Sequence, residues 1–377
     1  MKIIKKYNID IFVLIILLTS LASLLVLVKS GDELWNFANC YKISIGYKIY
    51  RDINVIVTPL FFYVAQLFFA IFGKTILAFR IYNIIIFTVL FGLIYKIFEN
   101  LNIIRRRRII YTIIIIILFN GVIRGGANYN ILAMLPILVE ILLILRKKDN
   151  NLVNGLLIYI TFLIKQNVGV YYAIGLFIYK ILNGNNMKYA LIEVIKTYMV
   201  TACGIITFMF YLYLDNNLYN FINYCFLGIK EFGQKNIAFD SYNMKYVYIS
   251  VVIVIFNIIV LKNKEVQVDV KQNTKKILCF GIPLMLVQFP IFNYYHTALS
   301  SLIILISFIY TIEEIIIKNL DMNKKKEKVA YIIIILIYML YYAYIIFNVI
   351  ILLNKNDILI KTQDVYTRGI NWEKFRL

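Results

Sequence analysis

The sequence predicts an all-α protein, a polytopic bundle of about eleven transmembrane helices with a long first external loop. Three observations predict it. The 377 residues are 62% hydrophobic and 16% charged, where a soluble domain is about half apolar and about a quarter charged. The apolar residues are gathered into blocks such as 11–28, 76–98 and 331–353, each matching the roughly 20 residues a helix needs to cross a hydrocarbon core. The basic residues sit in short stretches between those blocks. The blocks are rich in isoleucine, which would suit strands in water. In lipid the backbone must satisfy its own hydrogen bonds, so helices are expected.

The first span, 9–28, is longer than the apolar part of a signal peptide and lacks a small-residue cleavage site after it, so it reads as retained. Further spans are expected at 76–98, 109–123, 131–145, 152–164, 168–183, 189–214, 246–261, 277–291, 297–318 and 329–353. Those at 152–164 and 168–183 are short, and a re-entrant pair is the alternative to two crossings. Two segments between spans are long enough to hold chemistry, 29–75 and 215–245. In the first, Pro59 opens an apolar stretch over 58–72 that reads as an interfacial helix. The tail, 354–377, is polar. With neither a soluble domain nor a flexible linker, 1–377 reads as one transmembrane domain.

The net charge of +20 would fit a nucleic-acid binder, but its distribution excludes that reading. More than half of the 40 Lys and Arg residues lie in alternate short segments, including Lys96, Arg105–Arg108, Arg146–Lys148 and Lys275. By the positive-inside rule this places the N-terminus in the cytoplasm and the C-terminus outside a plasma membrane. The Ile, Lys, Asn and Tyr bias points to a bacterial, AT-rich genome. Cys40, Cys203, Cys225 and Cys279 have no metal-binding or redox spacing; Cys40 and Cys225 both fall in outer segments, where a disulfide could join them. No acidic cluster argues for a metal, so none is expected.

Gly31-Asp32-Glu33 follows the first span directly. Adjacent carboxylates at a bilayer surface raise one another's pKa, which suits general acid or base work; two solvated acids at a helix end are the bland alternative. Beyond them stand Trp35, Gly46, Tyr50-Arg51-Asp52, Pro59-Leu60, Phe72-Gly73 and Arg80. This order resembles the first external loop of the GT-C superfamily of membrane glycosyltransferases, nearest the family 39, protein-mannosyltransferase-like enzymes and their bacterial relatives. A second echo is Lys165-Gln166-Asn167-Val168-Gly169, and a third is 289–296, ending in His296. In the third, Ile291 and Asn293 stand where relatives carry an Arg and an Asp.

The resemblance implies an inverting sugar transfer on the outer face, from a polyprenyl-phosphate sugar to an acceptor hydroxyl, with no cofactor. Asp32 would be the base and Glu33 would position the acceptor or share the proton. Asp52, Arg51, Arg80, Arg124, Lys165, Gln166 and His296 would bind substrate, with Lys165 and Arg80 favoured for the lipid phosphate because it needs cations near the interface. The partners would be a lipid-linked sugar donor, membrane lipid, and a cell-envelope glycan, lipid or protein acceptor. A flippase for lipid-linked sugars and a polysaccharide polymerase or ligase are the rival readings; the first lacks repeated broken helices, and the second usually carries a late, basic loop. Among other polar residues, Glu140 is an intramembrane carboxylate and so a functional candidate, with a helix-end pair to Arg146 as the favoured reading; Glu193 reads as paired with Lys196, while Tyr129, Tyr294 and Tyr295 are candidates to stack on a sugar.

Overall fold

The computed structural model describes residues 31–119, 122–123, 126, 128–184, 186–228, 241–289 and 294–317. The spans expected at 9–28 and 329–353, the tail at 354–377, and Arg124 lie outside them.

Twelve α-helices are present among the described residues. They are α1 (Gly31–Ser44), α2 (Leu60–Phe72), α3 (Ile76–Asn100), α4 (Arg105–Leu118), α5 (Tyr129–Leu145), α6 (Asn151–Ile164), α7 (Gln166–Asn183), α8 (Met187–Leu214), α9 (Leu218–Ile222), α10 (Ser241–Lys262), α11 (Val268–Leu284) and α12 (Tyr294–Ile312). No strand occurs among these residues; Ile49 and Ile53 form one isolated bridge. Three helical stretches, Ile76–Asn100, Met187–Leu214 and Tyr295–Ile315, are long and apolar enough to cross a membrane.

The helices begin where the sequence supplies caps. Thr75 accepts from the Ala78 amide, and Asn128, Asn150 and Asn186 each accept from the amide two residues on. Packing runs from α3 to α5 to α6, from α6 to α7 and α8, and from α7 through α11 to α12 and α10. Glycines set several of these crossings. A Cβ on Gly155 of α6 would lie 2.6 Å from the Thr197 carbonyl of α8, and one on Gly175 of α7 would lie 3.0 Å from Phe280 Cα of α11. Small residues let helix backbones approach this closely. Between α10 and α12 the contact is polar: Ser250 meets Ser301 at 2.6 Å, and Ser307 donates to Asn257 at 2.9 Å.

The outward surface of α8 is apolar over Ile195, Met199, Ile206 and Phe210, while Glu140 and Glu313 are fully buried. That distribution is inverted relative to a water-soluble bundle.

The segment expected as a long external loop, 29–75, is largely helical. The unexpected element is α1, which has Asp32 and Glu33 in its first turn and Lys42 in its last, the charge order that complements a helix dipole. The stretch from Pro59 does fold as a helix, α2, which buries Phe61, Phe62, Ala65 and Phe69. The irregular chain between α1 and α2 is clamped to the rest: Thr58 donates to the Phe162 carbonyl at 2.6 Å and Tyr50 donates to the Val57 carbonyl at 2.9 Å. In the second long segment, 215–245, α9 runs into a π-helical turn, Asn223–Leu227. The helix expected from 109 starts at Arg105, so the four arginines belong to its first turn. The span expected at 277–291 begins earlier, at Val268, and tightens into a 3-10 turn over Met285–Gln288.

Three side-chain expectations have clear outcomes. Glu193 pairs with Lys196 at 3.1 Å. Glu140 does not pair with Arg146, whose Nε donates to Asn100; a six-residue spacing places the two on different helix faces. Glu140 instead accepts from Tyr172 of α7 at 3.2 Å, and the Asn154 amide of α6 lies against the same carboxylate. Cys40 and Cys225 are both buried and free, so no disulfide joins them.

Replacing Gly155 by Ala should force α6 and α8 apart, because the new methyl meets backbone. The expected loss is about 1–3 kcal/mol, read as a lowered unfolding midpoint in detergent; an unchanged midpoint would show that the crossing relaxes freely.

Candidate functional site

The helix α1 presents Asp32 and Glu33 to different surroundings, because adjacent positions on a helix point about 100° apart. Asp32 is exposed and Glu33 is 5% exposed. Glu33 turns inward to α3 and accepts from Arg80 Nε at 3.0 Å, with both side chains 6% exposed. Burial pushes the Glu33 carboxyl above its ordinary range, and the charge and hydrogen bond of Arg80 draw it back only in part. Gly126 packs against Glu33 of this pair. Its φ of +78° suits glycine, and a Cβ there would stand 3.2 Å from Glu33 Cγ. The two carboxylates therefore do not act as a facing pair: one is a structural counter-ion and the other is open.

Around Asp32 the fold gathers residues distant in sequence. The Asp32 charge acts on Tyr129 at the start of α5 and on Tyr295 at the start of α12. Trp35, one turn along α1, packs edge-on against Tyr129 at 6.4 Å. Lys165 also meets Tyr129, its Nζ 5.3 Å from the ring centroid, a cation–π distance. Lys165 is the single residue between α6 and α7, in extended conformation, and its ammonium donates to Asn130. Burial lowers this ammonium to about 8. Its charge also reaches His296, whose ring packs edge-on to Tyr295 at 5.7 Å.

Four of the nine expected site residues thus gather around this cluster: Asp32, Lys165 and His296, with Glu33 beneath. Arg80 is present but engaged with Glu33, so it braces α1 where a phosphate ligand was expected. Gln166, expected to bind substrate, uses its amide N–H groups on the Ile56 and Cys225 carbonyls at 2.9 and 2.8 Å. It clamps the α1–α2 connection to the α6–α7 turn. Arg51 and Asp52 form an exposed pair, with Arg51 donating to both Asp52 oxygens at 3.0 Å. These bonds, with the Lys48 amide, hold the Asp52 carboxyl below its ordinary range. Lys48 also bridges to Asp215 at 2.5 Å. Among the described residues no hydrogen bond or ion pair joins this surface knot to Asp32.

Tyr129 and Asn130, which hold Lys165, are the members that the sequence did not single out as a pair. The Asn128 cap that starts α5 was the available signal, since it places both in the first turn of a helix.

The opposite end of the bundle is basic. Arg108 pairs with Glu99 at 2.6 Å, Lys180 with Asp149 at 2.7 Å and Arg107 with Glu313 at 2.7 Å. Along α3, Arg80 and Glu99 are separated by about 28 Å of helical rise, close to the thickness of a hydrocarbon core. Among the described residues no group of three or more His, Cys, Asp or Glu side chains is placed to hold a metal.

No protein-family model, curated protein or solved structure matches the chain. The reading of this site therefore stands on its own residues.

Because arginine cannot discharge and glutamate can take up a proton, the two halves of the buried pair should fail differently. Glu33→Leu leaves a buried guanidinium and should cost about 3–5 kcal/mol. Arg80→Leu should cost less at low pH. The orphaned carboxyl, raised by burial, favours the folded state while protonated, below its unfolded value of 4.5. That contribution is lost as pH rises through the folded pKa. Unfolding midpoints of both variants across pH 4–8 check this, and equal, pH-independent losses would contradict it.

Proposed function

We propose that the protein is a polytopic membrane glycosyltransferase, crossing the bilayer about eleven times, that moves a sugar from a polyprenyl-phosphate donor to an acceptor hydroxyl. The observation that carries this reading is an exposed carboxylate and a half-buried ammonium that both act on one tyrosine. Asp32 has the chemistry of a base and Lys165 that of a phosphate-binding cation.

In the proposed step Asp32 takes the proton from the acceptor hydroxyl. The hydroxyl oxygen attacks the anomeric carbon from the face opposite the leaving group, and the bond from that carbon to the lipid phosphate breaks with its electron pair remaining on the phosphate. Inversion follows from that geometry. The ammonium of Lys165 offsets the charge left on the phosphate, in a setting where partial burial strengthens the attraction. Asn130 and Tyr129 hold the ammonium in place.

The reading places the Asp32 end of the bundle on the outer face and the arginine-rich end in the cytoplasm. The support is the separation of the two ends: the ion pairs of Arg107, Arg108 and Lys180 all lie away from Asp32, as the positive-inside rule requires. The acceptor would be a lipid, glycan or protein of the cell envelope.

The test uses purified protein in lipid vesicles with a panel of polyprenyl-phosphate sugars and a membrane extract as acceptor. Wild type should release polyprenyl phosphate, and Asp32→Asn should lower the rate by about 10²–10⁴, the range of a lost general base. Equal release by both would remove Asp32 from the chemistry. Transbilayer movement of the lipid-linked sugar without release would favour a flippase.

Donor binding should also depend on pH. The protonated form of Lys165 binds phosphate, so affinity should fall as pH rises above about 8. The fall approaches about tenfold per unit, until the pKa of the bound state is reached. Lys165→Met should bind more weakly at pH 7 and lose this dependence. A wild-type affinity flat from pH 7 to 9.5 would exclude Lys165 as the phosphate ligand.

A further inference from the structure

On α1, Asp32, Trp35, Asn36 and Asn39 stand at spacings of three, four and seven residues from the first, which is one face of a helix. Glu33, Phe37 and Cys40 define the neighbouring, buried face. Trp35 is 36% exposed, although Phe62 and Tyr129 brace its indole edge-on at 6.0 and 6.4 Å. Its orientation is therefore fixed while part of its surface stays open.

Below Trp35 the same face carries two amides in an unusual state. Asn36 is 1% exposed and Asn39 is 5% exposed. Buried polar groups are almost always hydrogen-bonded, yet Asn36 Oδ1 and Asn39 Nδ2 have no partner among the described residues. The face thus carries a partly exposed aromatic surface and a carboxylate, with one acceptor atom and one donor atom that are buried and have no partner among the described residues. A pyranose ring presents the complement: an apolar C–H face and hydroxyls that both donate and accept.

We propose that this face of α1 is a carbohydrate subsite, with Trp35 as the platform for the ring of the donor sugar and Asn36 and Asn39 as partners for its hydroxyls. The proposal rests on the glycosyltransferase reading and assigns the place where the transferred sugar lies. A tryptophan at a bilayer surface also serves as a headgroup anchor. An anchor has no use for a carboxylate one turn away or for an amide acceptor and an amide donor on its own face that have no partner among the described residues.

The sequence supplies the probe. Trp35 and Trp372 are the two tryptophans, so Trp372→Phe leaves Trp35 as the sole indole emitter in the full-length chain. This variant is placed in vesicles containing brominated lipid, which quenches indoles in contact with it. Short-chain prenyl phosphates are then added, bare or carrying glucose, galactose, mannose or N-acetylglucosamine. At least one sugar-bearing prenyl phosphate should shift the Trp35 emission and protect it from bromine quenching, and the bare prenyl phosphate should not. Trp35→Phe should keep donor binding, while Trp35→Leu should raise the donor KM about tenfold and leave the pH profile of kcat in place. Asn36→Ala and Asn39→Ala should each weaken protection by the sugar without altering binding of the bare prenyl phosphate.

Bromine quenching that is the same with and without every donor would make Trp35 a lipid anchor and overturn the subsite. So would an equal response to bare and sugar-bearing prenyl phosphates. The two levels of the reading fail separately. Asp32-dependent release of prenyl phosphate with an unresponsive Trp35 removes the subsite and keeps the enzyme. A sugar-specific response without release keeps the subsite and removes the enzyme, and silence in both assays removes both.

Discussion

The buried ion pair between Glu33 and Arg80 is the constraint on which the site depends. It ties α1, a helix too short and too polar to settle by hydrophobic burial alone, to α3, one of the long apolar helices of the bundle. Rotation of α1 about its axis is thereby fixed, and with it the directions of Asp32 and Trp35. A buried charge pair is weak as a source of net stability, because desolvation offsets much of the attraction. It is strong as a selector of orientation, since any other rotation of α1 would separate the guanidinium from the Glu33 carboxylate. Tyr82 and Asn83 lie beside Arg80 on α3, and Tyr82 donates to the Phe61 carbonyl at 3.1 Å. The same stretch of α3 therefore positions both α1 and α2.

Polar residues act throughout the bundle as connectors between elements. Glu140 is reached by side chains from two other helices, Asn257 joins α10 to α12, and Gln166 binds two backbone carbonyls at once. Inside an apolar surrounding such groups hold helices in register because the alternative is an unsatisfied donor or acceptor. Among the described residues their positions mark out an interior joined by polar contacts and an apolar exterior, with no strand.

How legible this was depended on the range of the interaction. The described long helices followed from blocks of hydropathy, a property of twenty or so consecutive residues. The Glu193–Lys196 pair is local and could be read directly. The helix α1 was missed because its residues form no long apolar block, although its terminal charges gave the signal. Glu140 was assigned the wrong partner because proximity along the chain was used in place of helix phase. Which of the two adjacent acids faces outward could not be read at all, since that is decided by an arginine 47 residues away. The meeting of Tyr129 with Lys165 likewise exists only after α5, α6 and α7 have packed.

The turn between α6 and α7 consists of Lys165 alone. Loops ordinarily absorb insertions and deletions because they connect elements without being part of them. Here the connector is one residue long, and the next turn is in backbone contact: a Cβ at Gly169 would fall 2.6 Å from Phe162 Cα. Adding or removing a residue at this point would turn α7 by about 100° and break its seams with α6 and α11 together. The length of the chain at position 165 is therefore under the same restraint as its chemistry, and variation there is confined to exchange of the side chain.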